Sequence, residues 1–432
     1  MGHHLLLAVI KVEMFLNSIN KKRRVKVNVI LLVCAWTLSV TLIVPLMVKN
    51  GGAMWNRADV DEASWMYHLC PHYHAKPSAR DTLSWRPPSA QDIFFTQTSC
   101  AVALSIREAC AVESAARHHP HQQVLVFMTA PDLDRSHPLL QLLQTLSNVQ
   151  LAWLDLDQVF VEGAVGQWHR DRLWMYSEGR TSAEVSDAVR AELLRRYGGT
   201  YIDLDAITLQ PLPNTTNWLG RIDSNLVTAA VSRFAPGNPL LQHSLWLIAC
   251  RLLNTKVSSP SSAPPSRITE GRRRGARVWV GRRRLTAKNG EECPSSVVDN
   301  IPSSFNPQGC CSIGPNLFTH ILHQSCPKNV TTPSSADPAQ AEHCNGVTIF
   351  PRSYFYPIHY GYEEDQLESI FREGEGLGRA FLSNTHAFSL HLFHSLSHQG
   401  RVSPAGDSVL SEVAQRNCPD VFQIVKTKDL WL

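Results

Sequence analysis

No two cysteines in this chain are separated by two residues, and none stands at zinc-finger spacing from a pair of histidines. A structural zinc cage is therefore not expected, and the ten of eleven cysteines that lie beyond residue 48 read as material for disulfides. Charge is also scarce. Asp, Glu, Lys and Arg make up 18% of the residues against 44% hydrophobic, a balance that excludes a wholly disordered chain. The formal net charge is only +4, which does not by itself mark a nucleic-acid binder. No internal repeat is present, so a stacked-repeat architecture is not expected either.

Against this background the run Val27 to Val48 stands out, because it contains no Asp, Glu, Lys or Arg. As a helix it is long enough to cross the roughly 30 Å hydrocarbon core of a bilayer. Lys21, Lys22, Arg23, Arg24 and Lys26 flank its N-terminal side. That bias predicts a cytoplasmic tail (1–26), an uncleaved signal anchor (27–48), a lumenal stem (49–90) and a lumenal head (91–432). A cleaved signal peptide is the rival reading, but the apolar run is long for one and no small-residue cleavage site follows it. The expected place is the Golgi membrane, as a single-pass type II protein. Two acceptor sites for N-glycans, Asn214 in NTT and Asn329 in NVT, suit that compartment. Cys326 and Cys344 flank a loop rich in Pro and Ser and form the first candidate disulfide.

Within the head, short apolar runs alternate with helical patterns. DIFF (Asp92–Phe95), QVLVFM (Gln123–Met128) and VQLAWL (Val149–Leu154) read as strands. Between them, Ile106, Ala109, Cys110, Val112 and Ala116 approximate one helical face, and Leu139–Leu146 is a second helical stretch. The alternation predicts an α/β fold with a mostly parallel sheet covered on both sides. A longer helix is expected over Thr181–Tyr197, where Val185, Val189, Leu193 and Tyr197 recur every fourth residue. Asp187 and Arg190 lie on another of its faces, and Gly198 with Gly199 should end it. The segment 257–304 differs in composition, with eight Arg and one Lys between Arg267 and Lys288 against one Glu, and reads as a basic low-complexity insertion.

After the double glycine comes TYIDLD, read as a strand carrying Asp203 and Asp205 on one side. Two hard oxygen donors side by side suit Mn²⁺ or Mg²⁺, and such an ion can bridge the two phosphates of a nucleotide-sugar. It then serves as a Lewis acid for a departing diphosphate. The spacing alone proves little, since Asp155 and Asp157 in WLDLDQVF share it. Only the second pair follows an amphipathic helix and a glycine turn.

The block SDAVRAELLRRYGGTYIDLDAITLQPLPNTTNWLG resembles the sugar-binding region of glycosyltransferases with a DxD motif. It is most similar to the α-1,4-galactosyltransferase and α-1,4-N-acetylglucosaminyltransferase family, of glycosyltransferase family 32 type. The spacing of Asp187, Arg190, Tyr201, Asp203 and Asp205 is also similar to that in large clostridial glucosylating toxins. DIFFTQTSC, ACAVESAARHHP, VTIFPRSYFYPI and NCPDVFQIV match further blocks of the family in the same order. The resemblance implies a GT-A (Rossmann-like) glycosyltransferase domain, a UDP-sugar donor, Mn²⁺ and transfer with retention. It implies that Asp205 binds the metal, that Asp203 meets the metal, the ribose or both, and that Asp187 and Arg190 grip the donor. It extends to His391 as third metal ligand, to Thr96 and Ser99 near the uridine, and to Gly314 and Pro315 near the donor. The acceptor it implies is a galactose-terminated or related glycan, on a glycolipid.

Two places depart from the family pattern. CCSIGP puts Ser312 and Ile313 before Gly314, where a more polar residue is usual, and the family's His-x-Trp-Asn is here His391, Leu392, Phe393 and His394. These departures leave an alternative open: a weakened or inactive lumenal glycan-binding paralogue. Catalysis by a front-face route, with the leaving phosphate accepting the incoming proton, is expected because no second carboxylate presents itself as a covalent nucleophile.

Overall fold

The computed structural model describes Pro77 and residues 83–161, 163–170, 181–245, 314–327, 340–360, 367–374 and 376–432. The expected anchor at 27–48, the basic insertion at 257–304, Ser312, Ile313 and the acceptor Asn329 lie outside them. Among the described residues no helix is long and apolar enough to cross a membrane. Asn214 is exposed on a loop.

Strand β1 (Ile93–Gln97) is followed by helix α1 (Ile106–His118), β2 (Val124–Met128), α2 (Pro138–Thr145) and β3 (Val149–Trp153). After α3 (Gly163–Arg170) comes α4 (Thr181–Tyr197), then β4 (Gly199–Ile202), β5 (Ala206–Thr208), β6 (Trp218–Asp223) and β7 (Leu226–Phe234). The remainder contributes α5 (Pro315–Ser325), β8 (Glu342–Cys344), β9 (Val347–Phe350), α6 (Leu377–Asn384), β10 (Ser389–His391), α7 (Val409–Asn417) and α8 (Pro419–Thr427). Local chemistry explains several boundaries. Ser105 and Glu108 form a reciprocal capping box at the start of α1. Proline occupies the first turn of α2, α5 and α8, where its missing N–H costs nothing.

Eight strands form one sheet in the order β3-β2-β1-β4-β7-β6-β9-β8, while β5 and β10 pair separately. The first four strands are parallel, as the sequence predicts. Beyond β4 the sheet turns mixed: β7 is antiparallel to β4 and β6, and β8 to β9. The fold is thus a mixed α/β arrangement with a parallel-rich sheet. Alternate residues of β1 serve two cores. Ile93 and Phe95 join the one packed by α1, α7 and α8, and Phe94 joins the one packed by α4. Helix α4 buries more than its stripe at intervals of four, since Ala188, Ala191 and Leu194 are buried too.

Three details sharpen the sequence expectations. The packed head reaches back into the stretch assigned to the stem, because Leu83 is buried, Trp153 N–H donates to Ser84 O (3.3 Å) and Arg86 pairs with Asp92 (3.3 Å). Gly198 closes α4 with φ 68°, and its N–H donates to Leu194 O (2.9 Å). A side chain at Gly199 (φ 102°) would come within 2.9 Å of two backbone carbonyls, so only glycine fits between α4 and β4. Finally, the strand ends at Ile202 and does not run through the acidic pair. Asp203 to Ala206 form a turn, closed by Ala206 N–H on Asp203 O (3.0 Å). It is this turn, not strand alternation, that brings the two carboxylates together.

Candidate active site

The acidic turn is held from both sides. Asp203 N–H donates to Ala230 O on β7 (2.7 Å), and Leu392 N–H donates to Asp205 O (2.8 Å) just past β10. The β5–β10 pairing sets His391 opposite Ala206, which carries its ring beside both carboxylates. Nε2 of His391 lies 3.1 Å from Asp205 Oδ1 and 3.8 Å from Asp203 Oδ2. The backbone N–H of His394 occupies the other Asp205 oxygen, Oδ2, at 2.8 Å.

Helix α4 supplies the next layer. Arg190 is buried and donates to Asp203 Oδ1 (3.2 Å) through one arm and to Asp187 Oδ1 through the other. Its guanidinium lies 4.9 Å over the Tyr201 ring. The Tyr201 hydroxyl meets Thr96 Oγ1 (3.3 Å), which in turn meets Ser186 Oγ (3.3 Å). Gly314 completes this side from α5, where it is the N-cap residue. A Cβ there would fall 2.7 Å from Asp187 Oδ2, so glycine is what lets α5 approach the carboxylate. Pro315 follows as the first residue of α5. Ser99 sits past β1, its hydroxyl and N–H both donating to Gln97 Oε1 (2.7 Å each).

Electrostatics follow from this packing. Burial opposes the charge of Asp203, but Arg190 and His391 outweigh it and hold the carboxyl below its usual range. Burial likewise opposes protonation of His391, yet Asp205 and Asp203 lift it above the ordinary imidazole range. Tyr201 is pushed up by burial and by Asp203, so its phenol stays protonated.

Asp203, Asp205 and His391 can each turn one ligand atom so that all lie within 4.8 Å of one another. Two carboxylates and an imidazole fit a hard divalent cation. The carboxylates are the preset part of the site. Phe393 N–H donates to His391 Nδ1 (3.1 Å), which puts the ring proton on Nε2 facing Asp205. A cation taken by Nε2 has to displace that proton. Beside the acidic pair opens a cleft of about 170 Å³ lined by Thr96, Ser99, Arg107, Glu108, Tyr201 and His394, among others. The structure therefore brings Asp187, Arg190, Tyr201, Asp203, Asp205, His391, Gly314 and Thr96 into one cluster, with Ser99 on the cleft wall. Cys326 and Cys344 are disulfide-bonded as expected from their flanking positions, 18 residues apart.

Sequence reasoning missed Gln97, Arg107 and Glu108. Gln97 Nε2 donates to Glu108 Oε1 (2.7 Å), tying the cleft wall to the start of α1. The Ser-x-x-Glu capping box was a usable signal for Glu108; Arg107 offered none. A second disulfide, Cys110–Cys418, was also missed, because its halves lie 308 residues apart.

Comparison with known proteins agrees with this site. Residues 105–223 match the glycosyltransferase sugar-binding region containing DXD motif, and residues 287–425 match the alpha 1,4-glycosyltransferase conserved region. The chain is 25% identical over 369 residues to the lactosylceramide 4-alpha-galactosyltransferase of Gorilla gorilla gorilla, covering 84% of this chain and 93% of that one. Identity to the Homo sapiens protein of the same name is 26% over 343 residues, 78% of each chain. It is 22% over 349 residues to the alpha-1,4-N-acetylglucosaminyltransferase of Homo sapiens, covering 77% and 79%. Among solved structures, a PaToxG glycosyltransferase matches 54% of this chain and 68% of its own with TM-score 0.31 and 14% identity. The acidic turn lies inside the first matched region and His391 inside the second, so the chain carries both of these glycosyltransferase regions.

Proposed function

We propose that the chain is a type II Golgi membrane enzyme with a GT-A head. It transfers an α-linked galactose or N-acetylhexosamine from a UDP-sugar to a galactose-terminated glycan, on a glycolipid, with retention of configuration. The observation that carries the reading is the convergence of Asp203, Asp205 and His391, with the two carboxylates lining the same cleft as Thr96 and Ser99. Relatives named for acting on lactosylceramide support the acceptor class. The apolar run at 27–48 with its basic flank supports the topology.

In this reading Asp203, Asp205 and His391 hold a divalent cation, Mn²⁺ in preference to Mg²⁺ because an imidazole joins the oxygens. When bound, the cation neutralises charge developing on the leaving diphosphate. The chain's own groups do the positioning. Arg190, held by Asp187 and Asp203, would lend positive charge to the donor phosphates, and Gly314 lets α5 close against Asp187. Thr96 and Ser99 offer hydroxyls to the uridine end. With the carboxylates engaged by Arg190, His391 and His394 N–H, the reading favours a front-face reaction over a covalent sugar–enzyme intermediate; trapping a sugar on a carboxylate would overturn that step.

The test is a panel of UDP-galactose, UDP-N-acetylgalactosamine and UDP-N-acetylglucosamine on glycolipid acceptors, with Mn²⁺ or a chelator. UDP release that needs both acceptor and cation is expected with one donor. A folded protein that releases no UDP with any combination contradicts the reading, and cation-independent glycan binding in its place would point to a lectin-like paralogue.

A further inference from the structure

Arg107 is buried on the cleft wall, and among the described residues no Asp or Glu side chain pairs with it. Its guanidinium instead gathers main-chain oxygens of Ser397, Gly400 and Leu432. Nη1 donates to Ser397 O (2.9 Å), and Nη2 donates to Gly400 O and to Leu432 O (3.4 Å). The Phe371 ring covers it at 5.1 Å. Gly400 is packed so closely on that ring that a Cβ would fall 2.8 Å from it, so the carbonyl reaches Arg107 only because residue 400 is glycine. Leu432 is itself buried and exchanges backbone hydrogen bonds with Val402 (3.1 and 3.4 Å).

The Ser397 carbonyl belongs to a small element with a second attachment. His394 to Ser397 form a single helical turn, opened by Phe393 at φ 48°, a conformation unfavourable for a bulky residue. The first N–H of the turn, that of His394, binds Asp205 Oδ2. Its last carbonyl, that of Ser397, binds Arg107. A carboxylate at the N-terminal end and a guanidinium at the C-terminal end both complement the turn's dipole. Ser397 Oγ adds a bond to Leu392 O (2.6 Å), next to His391. The charge of Asp205 also favours the protonated form of Arg107, against a burial that pushes its pKa down to about 10.

We infer that Arg107 is a positioning residue for the divalent-cation site: it clamps the His394–Ser397 turn and the Leu432 end so that His394 N–H fixes Asp205. The inference rests on the reading of Asp205 as a cation-binding carboxylate. Outer partners of metal ligands typically change metal affinity by about 10- to 100-fold, and the same scale is expected here. Lysine keeps the charge but cannot span three main-chain oxygens.

The test measures Mn²⁺ binding directly, by loss of the free Mn²⁺ electron paramagnetic resonance signal in the presence of UDP, on the detergent-solubilised full chain. Wild type is compared with R107K, R107Q and L432D, and with R107Q/L432D. The clamp predicts about tenfold weaker Mn²⁺ binding in R107Q, a smaller loss in R107K, and a double variant no worse than the more affected single one. The apparent KM for the acceptor should stay within about twofold in R107K. If R107Q does not fold, R107K decides alone. A folded R107K with wild-type Mn²⁺ affinity, or additive losses in the double variant, overturns the inference. Absence of Mn²⁺–UDP binding in the wild type would instead overturn the reading of the site itself.

Discussion

The chain contains the tripeptide Asp-Leu-Asp at 132–134, 155–157 and 203–205. The last two copies, a first pair at 155–157 and a second at 203–205, have different surroundings. In the first, Asp155 caps a short helix: its Oδ1 accepts from Asp157 N (3.0 Å) and Gln158 N (3.2 Å). Asp157 projects outward with 63% of its side chain exposed. In the second, the side chains of Asp203 and Asp205 are 26% and 20% exposed, and they converge between Arg190 on one side and His391 with His394 N–H on the other. Spacing is the same in both. What differs is burial and the groups that converge: α4 brings Arg190 and β10 brings His391 to the half-buried second pair, whereas at the first His169 of α3 stands 3.7 Å from the exposed Asp157.

The largest effect should come from breaking the second pair. Asp205→Ala removes the proposed cation ligand and the acceptor for His394 N–H, and turnover should fall about 10²- to 10³-fold, the scale seen when a key electrostatic group is lost. Asp157→Ala should leave turnover within about twofold. Next in size is Arg190→Ala, which strands two buried or half-buried carboxylates. A loss of stability of about 3 kcal/mol is expected by denaturant unfolding.

The pH dependence sharpens the contrast. His391 has its folded-state pKa raised, so its pairing with Asp205 and Asp203 contributes stability that is fully present below the ordinary imidazole pKa and is lost as pH rises through the raised value. The lowered Asp203 has the opposite sign: its contribution is present above the ordinary carboxylate pKa and is lost as pH falls through the lowered one. Melting of the cation-free protein should therefore decline above near-neutral pH. Asp205→Asn should flatten that decline, and Asp157→Asn should not. The smallest effect is at Asp155, where loss of the N-cap in Asp155→Ala should lower stability by about 1 kcal/mol without changing turnover.

The parallel half of the sheet was legible because β1, β2 and β3 contain short apolar runs that alternate with helical patterns. Its antiparallel half was overlooked, although Asn345-Gly346 between β8 and β9, both at positive φ, is a hairpin signature; the link between β6 and β7 offers no such dipeptide. The acidic pair was legible through its neighbours, Arg190 and the double glycine, although the turn geometry was not. His391 could be picked out from nearby His386, His394 and His398 only by resemblance to a family, because pairing with β5 decides which ring faces the carboxylates. Arg107 stayed hidden for a different reason: its partners are main-chain oxygens some 290 residues away or more, and backbone partners leave no mark in sequence.

The central claim is that Asp203 and Asp205, and not Asp155 and Asp157, hold the cation through which UDP binds. Calorimetric titration of UDP into wild type, Asp205→Ala and Asp157→Ala, with Mn²⁺ and with chelator, tests it most directly. The account predicts Mn²⁺-dependent UDP binding in wild type and Asp157→Ala and its loss in Asp205→Ala. UDP binding by folded Asp205→Ala with undiminished Mn²⁺ dependence would contradict it.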